Sequence, residues 1–284
     1  MSDTLGLLPI LYEDVVRRAL AEDLGRAGDV TTDAIVPADL GGRAAIVARA
    51  AGRVAGLEPA LYAFRLLDPD CVAEVLLPDG SDAAAGQAIA RVSARARALL
   101  TGERTALNLL GRLSGIATAT RDVVARLQGL QTRVVDTRKT TPGLRALEKY
   151  AVRVGGGQNH RYGLDDAVLV KDNHVALAGG IAEAVRRVRE GAGHMRKLEA
   201  EVDTLAQLDE ALALDVDAVL LDNMDLKTLG EAVRRARGRA LTEASGGVRP
   251  ENVRAIAETG VDLVSIGWLT HSAPALDVAL DVEA

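Results

Sequence analysis

Apolar residues follow two different periods along this chain, and the pattern changes near residue 95. Before that point, short apolar runs predict strands, and apolar positions three or four residues apart predict helices. The predicted strands cover 43–50, 53–56, 72–77 and 88–93, and the predicted helices cover 10–24 and 57–67. From about 95 to 127 the helical period is continuous. We therefore expect a small α+β domain, followed by a helical region that contains the domain boundary.

Six further apolar runs of strand length follow, and helix-like segments separate most of them. The runs end near Val135, Val170, Val202, Leu221, Thr242 and Ile266, and the helical segments cover 181–189, 204–214, 226–237 and 250–259. Alternating strands and helices predict a parallel barrel or a doubly wound sheet. Polar residues close every run, which is typical of a barrel. The segment 115–269 is too short for the eight units of a ~250-residue barrel, so six or seven strands are expected.

Length and composition narrow the class of protein. The 284 residues are 48% hydrophobic and can bury one large core or two ordinary ones. The single cysteine, Cys71, leaves no internal disulfide or cysteine-based metal site and is typical of a reducing cytoplasm. The N-terminus has no basic segment, and no apolar run approaches the ~20 residues that span a bilayer. We expect a cytoplasmic protein that is neither exported nor inserted in a membrane.

A basic stretch over residues 136–171 stands out in a chain of net charge −6, with seven Lys or Arg against four acids. A positive region in an otherwise acidic protein predicts a small anionic ligand and argues against nucleic acid. Arg145, Lys149 and Arg153 fit the solvated face of a helix that Gly155 ends. The remaining basic groups lie at element ends, where sites are built; they are Arg138, Lys139, His160, Arg161 and Lys171.

Several motifs of this stretch resemble one known family in their order and spacing. They are DTRKTTPGLR from Asp136, EKYAV from Glu148, GGGQNHRYGL from Gly155 and KDNH from Lys171. Other motifs agree, namely EDLG and GDVTT near the N-terminus, GERTALNLLGRLSGIAT from Gly102, and ASGGV, GVD and LTHS near the end. Over most of its length the chain thus resembles the quinolinate phosphoribosyltransferases, the decarboxylating nicotinate-nucleotide pyrophosphorylases of NAD biosynthesis.

The resemblance implies an architecture and an assembly. The fold would be an incomplete α/β barrel of six or seven strands with an N-terminal α+β sandwich domain. The sandwich is expected over residues 1–114, joined by 272–284, and the barrel over 115–271. A homodimer is implied in which each N-terminal domain caps the partner's barrel, so that Arg104 enters a site shared between subunits. No nucleic acid or membrane partner is expected.

The first implied substrate is quinolinate, a pyridine that carries two carboxylates. Such a ligand needs several cations, at least some of them Arg for planar bidentate pairing. The residues that the resemblance places around it are Arg104, Arg138, His160, Arg161 and Lys171.

The second implied substrate is 5-phosphoribosyl 1-pyrophosphate with Mg²⁺, an ion that prefers oxygen ligands and keeps several waters. Glu201 and Asp222, which close neighbouring predicted strands, match the metal ligands, and Lys139 matches a pyrophosphate ligand. These three residues are the catalytic candidates. The 5′-phosphate is expected near the last two strands, at backbone N–H groups and side chains; the candidates are Ser245, Gly246, Gly247, Gly267 and His271.

The implied reaction needs no protein nucleophile, because the pyridine nitrogen attacks the ribose and later serves as the electron sink for decarboxylation. One alternative is the paralogue linked to molybdenum uptake, which usually changes the TRKT, NHR and KDNH segments; all three are kept here. The other is a phosphosugar-binding subunit without turnover. Loss of Lys139 or of a carboxylate would favour that alternative, and neither is lost. Cys71 and His194 match no site motif and are expected to be structural or surface residues.

Overall fold

The computed structural model describes residues 6–283, and its helices and strands alternate along most of the chain. A 3₁₀ turn covers Pro9–Leu11. The α-helices are α1 Glu13–Leu24, α2 Val30–Ile35, α3 Leu57–Leu67, α4 Ala96–Arg126, α5 Arg145–Val154, α6 Asp172–Ala178, α7 Ile181–Gly191, α8 Leu205–Ala213, α9 Leu226–Ala236, α10 Val253–Ala257 and α11 Trp268–His271. The strands are β1 Gly41–Ala48, β2 Gly52–Arg53, β3 Val72–Val75, β4 Asp82–Ala83, β5 Ala88–Arg95, β6 Arg133–Val135, β7 Val168–Val170, β8 Leu198–Val202, β9 Ala218–Asp222, β10 Leu241–Ser245, β11 Leu263–Ser265 and β12 Val278–Glu283.

The chain forms two compact units. The first contains the residues up to Arg121, the segment Thr140–Gly156 and the residues from Leu269 onward; the second contains Asp122–Lys139 and Gly157–Trp268. The sequence places the boundary after residue 114, but α4 runs unbroken through that position and its apolar face stays buried beyond it. The helix therefore remains with the first unit until its last turn.

The first unit is built on an antiparallel sheet with the strand order β12-β1-β5-β3. The end of the chain joins this sheet, since β12 pairs with β1 from Ala48 opposite Val278 to Arg43 opposite Glu283. A Cβ added at Gly102 of α4 would stand 2.9 Å from the ring of Phe64, so α4 packs directly on α3.

Helix α5 departs from the expected solvated helix. Glu148 and Lys149 are 0% and 1% exposed. Glu148 accepts hydrogen bonds from the Arg112 guanidinium at 3.1 and 2.9 Å and from the backbone N–H of Thr141 at 3.0 Å. The expectation of a solvated face is wrong for Lys149, because the helix is buried on the side that carries it, and the neighbouring Glu148 pairs with Arg112 of α4. A buried charge persists only when it is paired.

The second unit is a parallel sheet of six strands in the order β6-β11-β10-β9-β8-β7. The edge strands β6 and β7 are not paired with each other anywhere in residues 6–283, so the barrel stays open. The prediction of an incomplete barrel with six or seven strands is confirmed, and the number is six. The predicted capping box of α8 is also present, because Thr204 Oγ1 accepts the N–H of Gln207 and Gln207 Oε1 accepts the N–H of Thr204.

Within residues 6–283, no helix has both the length and the apolar character needed to cross a membrane.

Candidate active site

A cavity of about 270 Å³ opens at the carboxyl ends of the parallel strands in the second unit. Successive side chains of a strand point to opposite faces, so alternate residues share the interior. The lining residues are Thr137, Arg138, Lys139, His160, Arg161, Leu169, Lys171, Glu201, Leu220, Asp222, Glu243, Ser245 and Ser265. The structure thus brings together eight of the residues that the sequence singled out, from the ends of β6 to β10 and the connecting segments beside them.

The carboxylates of this cavity come from two neighbouring strands. Glu201 lies on β8 opposite Leu220 in the parallel pairing, and Asp222 ends β9 two residues further on. Burial raises the pKa of Glu201 above its usual value, and the charge of Asp222 raises it further while Lys171 lowers it. Two carboxylates that line one cavity form an oxygen donor set suited to a cation such as Mg²⁺.

The cations of the cavity come from three connecting segments. Arg138 and Lys139 follow β6, Arg161 lies in the loop before β7, and Lys171 caps α6. Burial lowers the pKa of the Arg161 guanidinium, and the nearby charge of Arg138 lowers it further. Cations held close enough to disfavour each other's charge are suited to a ligand with more than one negative group.

His160 is held by protein groups on both ring nitrogens. Its Nε2 lies 3.0 Å from Glu199 Oε2 and 3.4 Å from Glu243 Oε2. Its Nδ1 accepts the backbone N–H of Arg161 at 2.7 Å. The N–H of His160 donates to Asp136 Oδ1 at 2.9 Å. This arrangement turns the polar atoms of the imidazole toward the protein, whereas the sequence assigns His160 to the ligand.

Three buried acids around His160 are missing from the sequence assignment of the site. Asp136, Glu199 and Glu243 are 0%, 8% and 1% exposed. A signal for Glu199 exists in the sequence, because it stands two residues before Glu201 on one strand and must face the same side. Burial, and then the charge of Glu199, raises the pKa of Glu243 to about 7.

The candidates for a phosphate site fall into two groups. Ser245 lines the cavity, and Gly246 and Gly247 follow it with φ of 89° and 61°. A Cβ at Gly246 would stand 2.1 Å from Asn223 Oδ1, so only glycine fits this turn. Gly267 belongs to the second unit, whereas His271 belongs to the first, where its Nδ1 lies 2.6 Å from Ser272 Oγ.

Arg104 lies in the first unit, on the exposed face of α4. It lines a separate cavity of about 270 Å³ together with Asp23, Asp29 and Thr101, among others. The second unit alone therefore supplies the other cations predicted to bind quinolinate, namely Arg138, His160, Arg161 and Lys171.

Comparisons with known proteins agree over nearly the whole chain. Residues 29–114 match the family model for the N-terminal domain of quinolinate phosphoribosyl transferase, and residues 116–281 match the one for its C-terminal domain. The chain is 47% identical to the nicotinate-nucleotide pyrophosphorylase (carboxylating) of Mycobacterium leprae over 274 residues, which are 95% of this chain and 96% of that protein. A probable enzyme of the same name from Bacillus subtilis is 45% identical, over 92% and 90% of the two chains. The solved structure of the nicotinate-nucleotide pyrophosphorylase from Francisella tularensis superimposes with a TM-score of 0.94 and 37% identity, and the superposition covers 100% of each chain.

Proposed function

Because the chain belongs to the quinolinate phosphoribosyltransferase family, we propose that it converts quinolinate and 5-phosphoribosyl 1-pyrophosphate to nicotinate mononucleotide, pyrophosphate and CO₂. This is a pentosyl transfer that belongs to the de novo synthesis of NAD. The observation that carries the proposal is one cavity that combines Arg138, Arg161 and Lys171 with the carboxylate pair Glu201 and Asp222. The cations suit a dicarboxylate such as quinolinate, and the carboxylates suit the magnesium ion that binds a diphosphate.

Arg138, Arg161 and Lys171 would bind the two carboxylates of quinolinate. A guanidinium offers two parallel N–H donors to one carboxylate, which an ammonium does not. Binding in this partly buried cavity also orients the pyridine nitrogen toward the sugar, and such positioning can supply a large share of a rate enhancement.

Lys139, which is exposed at the mouth of the cavity, would hold the pyrophosphate oxygens. Glu201 and Asp222 would hold Mg²⁺, whose charge neutralises the leaving diphosphate. Ser245 and the backbone N–H groups of Gly246, Gly247 and Gly267 would receive the 5′-phosphate, with His271 as a further candidate. The turn at Gly246 admits no side chain, which supports a close approach of backbone to ligand there.

The proposed reaction has two bond changes and a final proton transfer. The pyridine nitrogen bonds to ribose C1 as the C1–O bond to pyrophosphate breaks, and the leaving group takes the electron pair. The bond from C2 to its carboxylate then breaks, CO₂ departs, and the pair left on C2 is stabilised by the positive ring nitrogen until C2 takes a proton. The protein contributes orientation and fixed charge, and none of its side chains forms a covalent bond to the substrate.

We further propose that the enzyme acts in the cytoplasm as a homodimer with shared active sites. The single cysteine of the chain supports a reducing compartment. Arg104 is exposed on the first unit and would complete the cation set of a partner's barrel. Closed two-fold dimers are the commonest symmetric assemblies, and in them each subunit gives the same element to the other.

The test is pyrophosphate release from 5-phosphoribosyl 1-pyrophosphate by the purified chain, with quinolinate or nicotinate as the second substrate. Nicotinate lacks the C2 carboxylate and would leave cations of the cavity without a partner, so release should depend on quinolinate alone. Equal pyrophosphate release with nicotinate would contradict the proposal. Pyrophosphate release in the absence of both quinolinate and nicotinate would also contradict it. Formation of CO₂ in equal amount to pyrophosphate would distinguish decarboxylating transfer from simple hydrolysis.

A further inference from the structure

The cavity at the carboxyl ends of the strands is separated by a polar layer from a second cavity of about 240 Å³ at their amino ends. His160, Arg161 and Glu243 line both cavities, and Glu199 lines only the second. The layer is therefore the floor of the candidate active site. Glu199 and Glu243, two charged members of this layer, lie 3.0 and 3.4 Å from the His160 ring nitrogen Nε2.

The contacts of His160 determine where its ring proton lies. Nδ1 accepts the backbone N–H of Arg161, so it carries no hydrogen. In a neutral imidazole the proton then resides on Nε2, which donates it toward Glu199 Oε2 at 3.0 Å, with Glu243 Oε2 beside it at 3.4 Å. Both ring nitrogens are thereby committed to the protein.

We propose that Glu199 and Glu243 are positioning residues for quinolinate binding: they hold His160 as the neutral Nε2–H tautomer, and His160 in turn fixes the backbone from which Arg161 reaches the substrate. The inference rests on the proposed function. It assigns Glu199 and Glu243 to quinolinate binding, in which both act through His160. It also adds a part for His160, which lines the cavity and orients a ligand-binding residue.

The surrounding contacts show how this control reaches Arg161. The Asp136 carboxylate accepts the N–H of His160 at 2.9 Å and the side-chain amide of Asn159 at 2.5 Å, which ties the loop to the end of β6. The bond from the imidazole to Glu199 ties the same loop to β8. Arg161 then donates from Nη1 to the carbonyl of Ala167 at 3.2 Å. The loop that carries Arg161 is thus held by Asp136 and Glu199, and the guanidinium is held by the carbonyl of Ala167.

The protonation of Glu243 is consistent with this arrangement. The groups that face it are Glu199, His160, Ser265 and Asp136, from β8, the loop before β7, β11 and the end of β6. Burial is the largest cause of the raised pKa of Glu243, the charge of Glu199 raises it further, and His160 lowers it. A proton retained on Glu243 near neutrality reduces the repulsion between the two carboxyl groups that face His160 Nε2.

A metal ion is the competing occupant of this cluster, because one ligand atom from each of His160, Glu199 and Glu243 lies within 4.8 Å of the others. A histidine that binds a metal through Nε2 carries its hydrogen on Nδ1 and donates it to an acceptor. Here Nδ1 faces the N–H donor of Arg161, so the local hydrogen bonding suits a proton on Nε2 and not a metal.

The first experiment measures the tautomer itself and does not depend on activity. The chain has four histidines, so ¹⁵N spectra of histidine-labelled enzyme can be assigned by loss of one set of signals in His160→Asn. We expect a pyridine-type Nδ1 and a pyrrole-type Nε2 for His160 at pH 7.5. An imidazolium, an Nδ1–H tautomer, or a change of the Nε2 signal on addition of Zn²⁺ would overturn the proposal.

The second experiment measures quinolinate affinity by calorimetry in two matched double variants. In Glu199→Gln with Glu243→Gln, both acceptor oxygens remain, and the dissociation constant should stay within about threefold of the wild-type value. In Glu199→Leu with Glu243→Leu, no acceptor remains for Nε2–H, and binding should weaken about tenfold, the loss of one strong hydrogen bond. If the two carboxylates acted only through their charge, both double variants would bind the anion more tightly, and the proposal would fail.

The same pair of leucine substitutions in an Arg161→Lys background separates an effect through Arg161 from a general loss of structure. Residues that act through Arg161 should add little to the loss caused by Arg161→Lys, whereas independent effects should add. Glu258→Gln, which changes an exposed glutamate of the same unit, is the control and should leave affinity unchanged. Wild-type enzyme that binds no quinolinate would refute the proposed function, while the ¹⁵N spectra would still decide the tautomer.

Discussion

Asp222 raises the pKa of Glu201 across two neighbouring parallel strands. Both side chains line the same cavity, and the larger cause of the raised pKa is burial. Glu201 therefore binds a proton more readily than an ordinary glutamate does, and a cation should compete with that proton.

The first prediction concerns the dependence of activity on Mg²⁺. Removal of Mg²⁺ with a chelator should abolish pyrophosphate release, and added Mg²⁺ should restore it. Because Glu201 takes up its proton at a higher pH than an ordinary glutamate, the Mg²⁺ concentration for half activity should rise as the pH falls. Glu201→Gln should need much more Mg²⁺ at every pH, whereas Glu190→Gln, an exposed change on α7, should not. Activity of Glu201→Gln with wild-type metal dependence would remove Glu201 from the metal site.

Substitution of Arg161 tests the cation set. Arg161→Lys keeps the charge and loses the bidentate fork, so we expect the KM for quinolinate to rise about tenfold or more, with kcat less affected. Arg187→Lys, an exposed arginine of the same unit that pairs with Glu183, is the matched control. Steady-state kinetics with saturating 5-phosphoribosyl 1-pyrophosphate measure both constants. An unchanged KM would show that Arg161 does not contact the acid.

The stability of the first unit should depend on the pair Arg112 and Glu148. Glu148 is fully buried, and removal of its partner would leave an uncompensated buried charge. Arg112→Ala should therefore destabilise the fold by about 3 kcal/mol. Glu148→Gln, which keeps the shape and discards the charge, should cost less. Chemical denaturation of both variants checks the order, and Arg186→Ala, whose partners are exposed, should have almost no effect.

Glu243 should make the stability depend on pH in an unusual direction. Its pKa is about 7 in the folded chain, above the 4.5 of an ordinary glutamate, so between these values the folded state binds the extra proton. Stability contributed by this group is complete below pH 4.5 and is lost as the pH rises toward 7. Glu243→Gln should remove that loss. The free energy of unfolding of the variant, relative to wild type, should increase between pH 5 and 7.5; a constant difference would contradict the raised pKa.

Local patterns predicted most of the longer helices and strands of this fold, and they missed short elements such as α2, α6 and β4. Long-range contacts decided features that no local pattern shows. The capping box of Thr204 and Gln207 is contained within four residues, and the sequence alone predicted it. The burial of Glu148 depends on Arg112 of α4, 36 residues away in the chain, and no local period shows it. The candidate cavity could be predicted because most of its polar residues stand at or just after the end of an apolar run, and the NHR motif identified His160 and Arg161 in the loop before β7.

The floor of the cavity could be predicted only in part. The alternation of Glu199 and Glu201 on β8 predicts that both face inward, but not that one of them lies below the cavity and the other in it. The tautomer of His160 depends on one backbone N–H that belongs to Arg161. Sequence motifs identify which residue types gather at a site, and side-chain hydrogen bonds decide which of them remain available to a ligand.

The last prediction tests whether the active site is shared between subunits. Lys139 belongs to the second unit and lines the barrel cavity, whereas Arg104 is exposed on α4 of the first unit. Arg104→Ala and Lys139→Ala should each be nearly inactive while keeping the wild-type unfolding transition, because neither side chain belongs to the core.

If each site takes Arg104 from one subunit and Lys139 from the other, a mixed dimer has one site with both substitutions and one site with neither. Half of the dimers in an equal mixture are mixed, and half of the sites in each of those are intact, so subunit exchange should restore roughly a quarter of wild-type activity. Mixing each variant with Lys139→Ala/Arg104→Ala double-variant subunits is the control, since no dimer in those mixtures contains an intact site. Confirmed exchange without recovered activity would show that Arg104 acts within its own subunit.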